Sequence, residues 1–240
     1  MPTLPEILAR LQFLTQESAL LGLFITAGVI LVARDWRTLI LALLMQYILA
    51  GLILSRVIRP DLAALKVMIG AFICPILFLS ARQVSTRLAF FTSPAERNKG
   101  AGWINFKWWP NFSLMSLIKG QDRRRSPAAT GFMFRVLVVL LMIIIANTLS
   151  NTFALPDLSL NMTTAVYWLV LAGLVTLILT EDPMRVAHGL FTALTGFDLY
   201  YTTIEKSLLM TGLWGAVNLL IALAIGYLII AKGAGLEEEF

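Results

Sequence analysis

The sequence carries little charge for its length. Of its 240 residues, 14% are Asp, Glu, Lys or Arg, whereas 58% are hydrophobic and the mean hydropathy is +0.81. Soluble domains carry about 25% charged residues, so this composition leaves too little polar surface to cover a soluble globule of this size. Apolar runs long enough to cross a bilayer recur along the chain. We therefore predict an all-α, polytopic membrane protein, a bundle of transmembrane helices, and we expect it in a prokaryotic cell membrane.

Residues that hold cofactors or perform catalysis are scarce. The chain has one cysteine, Cys74, and one histidine, His188. These numbers exclude a disulfide within the chain, and they exclude a haem held by a pair of such ligands, an iron–sulfur cluster and a zinc site built from them. The sequence also lacks a glycine-rich phosphate loop. We expect no metal, no cofactor and no redox or hydrolytic catalysis by this chain alone.

Seven segments are apolar enough to be predicted as membrane-spanning helices. They divide the chain into a three-helix segment, residues 1–81, a long loop, 82–129, and a four-helix segment, 130–240. Most Lys and Arg residues fall in the loops of one side, and this bias predicts an N-terminus outside and a C-terminus inside the cell. The predicted spans are 18–33, 38–55, 62–80, 130–149, 163–180, 183–205 and 207–231.

The loop 82–129 combines aromatic with basic residues. It contains the stretch WINFKWWPNF and, after it, QDRRRS. Aromatic rings among cations are typical of the headgroup layer of a membrane. Two interpretations stay open, a loop that lies on the lipid and a docking surface for a neighbouring subunit; between two membrane spans, we do not expect nucleic acid as a partner. The residues that we expect at this lipid or partner surface are Trp103, Trp108, Trp109, Arg123, Arg124 and Arg125.

The sixth predicted span differs from the others because a polar stripe runs along it. Asp182 and Pro183 form a typical helix start. At about 100° per residue, one face within an arc of about 140° carries an imidazole, three hydroxyls and two carboxylates. The rise along this stripe is about 26 Å, close to the thickness of the hydrocarbon layer. Its members are His188, Thr192, Thr195, Asp198, Thr202 and Glu205.

Asp198 is the member of this stripe that most needs an explanation. It lies near the middle of the span, where an acid costs about 2.5–3.5 kcal/mol on insertion scales. The stripe must therefore face other protein or water, and an acid at this depth is usually retained for ion or proton traffic or for pairing with a buried cation. Lys66 and Arg135 are the candidate cations. Lys66 is equally compatible with snorkelling to the membrane surface.

Among the other polar residues, Glu205 and His188 each allow two interpretations, whereas Gln46 and Asn218 allow one. Glu205 is either part of an ion path or an interfacial residue, since Lys206 follows it at a helix end. His188 is either a proton relay or a buried, hydrogen-bonded histidine. We interpret Gln46 and Asn218 as residues that form hydrogen bonds between helices.

Two glycines share one face of the sixth span. Gly189 and Gly196 are seven residues apart, about two helical turns, so both lie on the same side of the helix. Small residues at such positions favour the close approach of a neighbouring helix. We expect the hydroxyls of the three threonines to bond to carbonyl groups of their own helix.

Two stretches of the chain resemble a known family. The C-terminal part of the hydrogenase-4 component E family is similar to EDPMRVAHGLFTALTGFDLYYTTIEKSLLMTGLWGAVNLLIALAIGYLI. The matching features are the polar turn before the helix, Arg185, Gly189, Gly196 and the ionisable Asp198. The second and third helices of that family are similar to RDWRTLILALLMQYILAGLILSRVIRPDLAALKVMIGAFICPILFLSARQV. The family is related to the K subunit of bacterial complex I and to the C subunit of Mrp-type cation/proton antiporters.

This resemblance implies a non-redox membrane subunit of a proton- or cation-translocating complex, packed against antiporter-like subunits. Asp198 would be the acid of its ion path, with Glu205 and His188 as neighbours. From the residues alone, and not from the resemblance, we add Lys66 to this path as a candidate cation partner. Two alternatives stay open, a free-standing small transporter or channel lined by the sixth span, and a structural or assembly protein in which Asp198 forms a buried ion pair. The expected partners are membrane lipids and other membrane subunits.

Overall fold

The computed structural model describes residues 16–33, 35–58, 60–91 and 132–235. All regular structure in these ranges is α-helical, which confirms the predicted all-α fold for this part of the chain. The six tryptophans and arginines expected at a lipid or partner surface, between residues 103 and 125, lie outside the described residues. The helices are α1 Gln16–Val32, α2 Trp36–Val57, α3 Pro60–Phe91, α4 Phe132–Thr152, α5 Leu160–Ile178, α6 Pro183–Ile204 and α7 Leu208–Gly235.

Five of these seven helices are long and apolar enough to cross a membrane: α2, α3, α4, α5 and α7. Helix α1 is apolar but has 17 residues, and the polar stripe lies on α6. Helix α3 continues to Phe91, ten residues beyond the segment boundary predicted at residue 81. A protein with several helices capable of spanning a membrane is therefore confirmed, whereas the number of crossings and their direction stay predictions.

Local sequence signals set the starts of the helices as expected. The side chain of Asp182 accepts a hydrogen bond from the backbone N–H of Met184 at 3.2 Å, and Pro183 takes the first position of α6. Asp35 and Ser159 cap α2 and α5 in the same way. A capping side chain satisfies one of the backbone N–H groups that the first turn leaves without a partner. The predicted helix start at Pro183 is thus confirmed to the residue, while its crossing of the membrane stays a prediction.

Helices joined by short connections pack as antiparallel neighbours. Contacts link α1 to α2, α2 to α3, α4 to α5, α5 to α6 and α6 to α7, and they also link α7 to α3 and α1 to α5. The guanidinium of Arg135, near the start of α4, donates to the carbonyl of Leu31 near the end of α1. The bundle therefore has two ends, which we name after the connections found there. The α5–α6 end holds residues 179–182, and the α6–α7 end holds residues 205–207.

Helix α6 contributes to both apolar clusters of the bundle. One cluster joins α1, α2, α4 and α5, and it includes Leu199 of α6 together with Trp168. The other joins α1, α2 and α3 to α7, and it includes Ala187 and Phe191 of α6 together with Tyr47. Because neighbouring helices cover α6 from both sides, its polar face can lie inside the protein.

The outer surface of the bundle carries many large apolar side chains. Met133 on α4, Ile178 on α5 and Leu209 on α7 are 78%, 81% and 75% exposed. Soluble monomers rarely expose large contiguous apolar patches. An outer surface of this kind is typical of a protein surrounded by lipid, in agreement with the five helices that can span a membrane.

Candidate functional site

The polar stripe of α6 faces the interior of the bundle. Five of its six members are buried. The three threonines donate to the carbonyl four residues earlier in their own helix, at 2.5–2.7 Å. This orientation and the threonine hydrogen bonds are as predicted. The buried members are His188, Thr192, Thr195, Asp198 and Thr202.

Asp198 forms an ion pair with Lys66 of α3. The ammonium Nζ of Lys66 contacts Oδ2 of the carboxylate, and the two residues are 3% and 1% exposed. Lys66 lies in the second turn of α3 and points inward, so the alternative in which it snorkels to the surface is wrong. Arg135, the other candidate cation, donates instead to the carbonyl of Leu31 at the α5–α6 end. Asp198 is therefore a member of a buried pair of opposite charges.

The second oxygen of Asp198 is bound by α7. Its Oδ1 accepts the indole N–H of Trp214. The ring of Trp214 packs against Phe197 and Tyr201 of α6, at centroid distances of 5.4 and 6.2 Å. The sequence analysis missed Trp214, although its position carries a signal. Asp198 lies six residues before the end of α6 and Trp214 six residues after the start of α7, so the short connection between antiparallel helices brings them to the same level.

Helix α2 covers the lysine from another side. The Nζ of Lys66 lies 5.8 Å from the centroid of the buried Tyr47 ring, which is a cation–π distance. A Cβ on Gly70 of α3 would overlap this ring, so the lack of a side chain at Gly70 leaves room for the ring to pack against α3. Three helices, α2, α3 and α7, thus supply the groups that surround the carboxylate of α6.

Buried polar groups continue from the ion pair toward the α5–α6 end. The hydroxyl of Thr192 donates to the carbonyl of His188 at 2.7 Å and lies 3.4 Å from Oε1 of Gln46 on α2. The Nδ1 of His188 lies 2.6 Å from the carbonyl of Met184. A carbonyl oxygen only accepts, so Nδ1 carries a proton and donates, which leaves Nε2 as the acceptor of a neutral ring. The distance along α6 from Asp198 to His188 is about 15 Å.

Several buried side-chain atoms of α2, α6 and α7 have no hydrogen-bond partner in the described part of the chain. They are Nε2 of Gln46, Nε2 of His188 and both side-chain polar atoms of Asn218, and all three side chains are buried. Asn218 lies one turn after Trp214 on α7, toward the α5–α6 end. An unpaired buried polar group costs about 1–3 kcal/mol, and internal water is its usual partner. We call the set that runs from the ion pair to the histidine the polar column; it consists of Lys66, Asp198, Tyr47, Gln46, Thr192, His188 and Asn218.

Glu205 stands apart from the polar column. It follows the last residue of α6, is partly exposed, and its Oε1 accepts the backbone N–H of Ser207 at 3.0 Å. It therefore satisfies a backbone group of the connection to α7. Its position is about 10 Å from Asp198 along the helix direction, at the α6–α7 end of the bundle. This placement agrees with the interfacial interpretation, while a role in an ion path stays a prediction.

The face of α6 toward α5 is built from small residues. A Cβ on Gly173 of α5 would lie 2.5 Å from the carbonyl oxygen of Gly189 and 2.5 Å from the backbone nitrogen of Ala193. A Cβ on Gly196 would lie 2.8 Å from that of Leu169. The predicted close approach of a neighbouring helix is confirmed, and Gly173 is the member of this contact that the sequence analysis did not identify.

The arrangement offers groups that hold and pass protons. It combines a carboxylate, an amine and an imidazole in a low-dielectric interior, where interactions between charges are strong. Among the described residues, no group of three His, Cys, Asp or Glu side chains is placed to hold a metal ion. No family model, curated protein or solved structure matches this chain. The family resemblance therefore stays a prediction.

Proposed function

We propose that the chain is a non-redox subunit of a proton- or cation-translocating membrane complex, with Lys66 and Asp198 in its ion path. The observation that supports this best is that the buried ion pair continues into the polar column. An ion pair that serves only stability needs no polar groups beyond its own two charges and their hydrogen bonds. Here buried polar atoms beyond the pair lack partners among the described residues, and replacement of polar groups by apolar groups of the same shape can be nearly neutral or stabilising. Polar groups retained at this cost inside a membrane protein are usually functional.

We further propose that all seven described helices cross the membrane, with the N-terminus outside and the C-terminus inside. Successive helices alternate in direction, and α6 lies among helices that can themselves span a bilayer. Helix α6 is less apolar than the five long apolar helices. Because its polar face is covered by protein, it can still insert into the membrane together with its neighbours. The excess of Lys and Arg in the loops of one side supports the proposed direction.

The coupling between the two charges supplies a mechanism. In the paired state the ammonium of Lys66 and the carboxylate of Asp198 neutralise each other. A proton that reaches Asp198 leaves the ammonium without its counter-ion in a low-dielectric site, which is costly. Release of a proton by Lys66 removes that cost. Uptake on one group therefore favours release from the other, and the pair passes one proton at a time.

The test uses the whole complex, purified through a tag on this chain from its native membrane and reconstituted into vesicles. Asp198→Asn removes the ionisable group at nearly constant shape. We expect proton uptake, measured with an entrapped pH-sensitive dye, to fall at least about 100-fold, the lower end of what a general acid or base contributes, while the same subunits co-purify. Asp157→Asn is the matched control, because Asp157 is an exposed acid in the α4–α5 connection. Unchanged uptake with Asp198→Asn would contradict the proposal.

A structural role is the second candidate, and the ion pair itself favours it. The double variant Lys66→Met, Asp198→Leu replaces both charges by apolar groups of similar size. If the pair is structural, the complex should assemble and translocate normally, because an apolar pair stabilises a buried site at least as well. If the pair is in the ion path, the complex should assemble and lose translocation. Proton flux through vesicles that contain the purified chain alone would instead support a free-standing transporter.

A further inference from the structure

We propose that Trp214 is a positioning residue that selects which oxygen of Asp198 exchanges protons. This inference rests on the proposed function of Asp198 in an ion path. The two donors on the carboxylate come from different helices and bind different oxygens. The indole of Trp214 on α7 donates to Oδ1, whereas the ammonium of Lys66 on α3 contacts Oδ2. Among the described side chains, Lys66 is the charged group in contact with this carboxylate.

The chemistry of the indole group makes the two oxygens unequal. An indole N–H is a donor and has no acceptor atom. If the proton of a neutral Asp198 sat on Oδ1, Trp214 would donate to a hydroxyl oxygen, which is a weaker acceptor than the carbonyl oxygen of the acid and carries a donor of its own that needs a partner. If the proton sits on Oδ2, Oδ1 remains a carbonyl oxygen that continues to accept from Trp214. The bound indole therefore directs protonation to Oδ2.

The indole is held in the position that this selection requires. Its ring lies between the α7 backbone and the rings of Phe197 and Tyr201, which also stack on each other at 5.8 Å between centroids. A half-turn of the ionised carboxylate exchanges two equivalent oxygens and restores both contacts, so the selection concerns the position and not the atom label. Whichever oxygen faces Trp214 accepts from the indole, and the other, Oδ2 in this structure, faces Lys66.

The elementary step is a proton transfer between two named atoms. An N–H bond of the Lys66 ammonium breaks, an O–H bond forms on Oδ2 of Asp198, and the electron pair of the broken bond stays on Nζ. A cation and an anion become a neutral amine and a neutral acid, so charge and atoms balance. Trp214 keeps its own N–H proton throughout. It therefore positions the acid and does not react.

Infrared difference spectra of the full chain in lipid test this assignment. Acidification produces the C=O stretch of protonated Asp198, which is recognised as the band missing from Asp198→Asn. Trp214→Phe keeps an aromatic ring but removes the N–H, so we expect this band at higher wavenumber, because the carbonyl Oδ1 loses its hydrogen bond. Trp168→Phe is the matched control: its indole also donates to a protein oxygen, the carbonyl of Phe24 at 3.3 Å, but in the core near α1. It should leave the band in place.

Three infrared results would overturn the proposal. They are an unshifted band in Trp214→Phe, an equal shift in Trp168→Phe, and the absence of any Asp198 band at every pH at which the chain stays folded. The readout does not depend on translocation. A band that shifts as expected, together with normal translocation by Asp198→Asn, would leave the positioning role intact and refute the proposed function.

A second measurement avoids any change to the tryptophan. In protein labelled with ¹⁵N at the indole nitrogens, the resonance of Trp214 is assigned by nuclear Overhauser contacts with the rings of Phe197 and Tyr201, against which its ring packs. Asp198→Ala removes the acceptor, so the proton of this resonance should move upfield, while Asp157→Ala should leave it unchanged. A Trp214 resonance that is insensitive to Asp198→Ala would overturn the proposal even if the Phe variant failed to fold.

Discussion

Helix α6 packs in opposite ways on its two sides. Toward α5, glycines allow backbone atoms to approach so closely that a single added Cβ on Gly173 would meet Gly189 and Ala193 at 2.5 Å. Toward α2, α3 and α7, the interface combines apolar side chains with buried polar ones, among them the ion pair of Lys66 and Asp198. The first side contains backbone and small apolar groups, whereas the second contains buried polar atoms without a partner among the described residues.

This difference gives the two sides of α6 different tasks: the side toward α5 holds the helix in place, and the polar side carries the ionisable groups. A site that must place a carboxylate against particular donors needs a helix that does not shift, and rigid elements hold functional groups more accurately than loops do. The contact with α5 supplies that rigidity, because close packing of backbones leaves little freedom for sliding. The polar side is then free to carry groups that lower stability. Variants on each side should therefore fail in different ways.

The largest expected effect comes from removal of one member of the ion pair. Lys66→Met leaves the carboxylate of Asp198 buried without its counter-ion, and loss of one partner of a buried pair costs about 3–5 kcal/mol. We expect the free energy of unfolding, measured by titration with a denaturing detergent, to fall by this order. The bond from Trp214 remains but does not neutralise the charge.

Two variants sharpen this result. Lys206→Met removes an exposed lysine at the α6–α7 end and should change the unfolding free energy by less than about 0.5 kcal/mol, as surface substitutions do. Adding Asp198→Leu to Lys66→Met should restore most of the lost stability, because no charge remains buried. If the single variant were as stable as the wild type, the pair would not be a buried ion pair in the membrane.

A smaller effect is expected on the other side of α6. Gly173→Ala inserts a methyl group against backbone atoms that have no flexible end to move, and overpacking of this kind costs about 1–3 kcal/mol. The thermal midpoint of unfolding of the purified chain should fall, while the ion pair between Lys66 and Asp198 stays formed. Gly28→Ala is the matched control, since a Cβ there meets nothing within 4 Å. Equal midpoints for the two variants would show that the α5–α6 contact is looser than described.

Periodicity was sufficient to orient α6. The spacing of polar residues from His188 to Thr202 placed them on one face, and the cost of a charge in hydrocarbon predicted that this face points inward. The start of the helix at Pro183 and the close approach of a neighbouring helix at Gly189 and Gly196 were also predicted, because capping and close packing depend on residues that are adjacent in sequence or on one helix face. These features needed no knowledge of which helices are neighbours.

The partners of Asp198 could be identified only from knowledge of which helices are neighbours of α6. Lys66 was one of two candidate cations, since its depth in the second turn of α3 was compatible with snorkelling as well as pairing. Trp214 was missed, because one tryptophan in an apolar helix is usually interpreted as a packing residue and its N–H acquires meaning only when α7 folds back on α6. The same holds for Gly173, whose importance depends on the position of Gly189 across the interface.

The smallest effect on stability, and the sharpest test of the polar side, is expected at Asn218. Both of its polar side-chain atoms are buried and have no partner in the part of the chain that the structure describes, so Asn218→Leu exchanges a group that needs water for one that does not. The unfolding free energy should change by less than about 1 kcal/mol, because replacement of polar groups by apolar ones of similar shape can be nearly neutral. Proton uptake by the complex should nevertheless slow, since the leucine removes groups that hold water in the polar column.

Asn151→Leu gives the matched comparison for this last prediction. Asn151 lies on the exposed side of α4 and donates to the carbonyl of Asn147 at 2.8 Å, outside the polar column. Its replacement should leave proton uptake unchanged. If Asn218→Leu also left uptake unchanged, the buried atoms beyond the ion pair would have no part in translocation. The two sides of α6 would then differ in packing but not in role. A structural role of the Lys66 and Asp198 pair would then be favoured over a role in translocation.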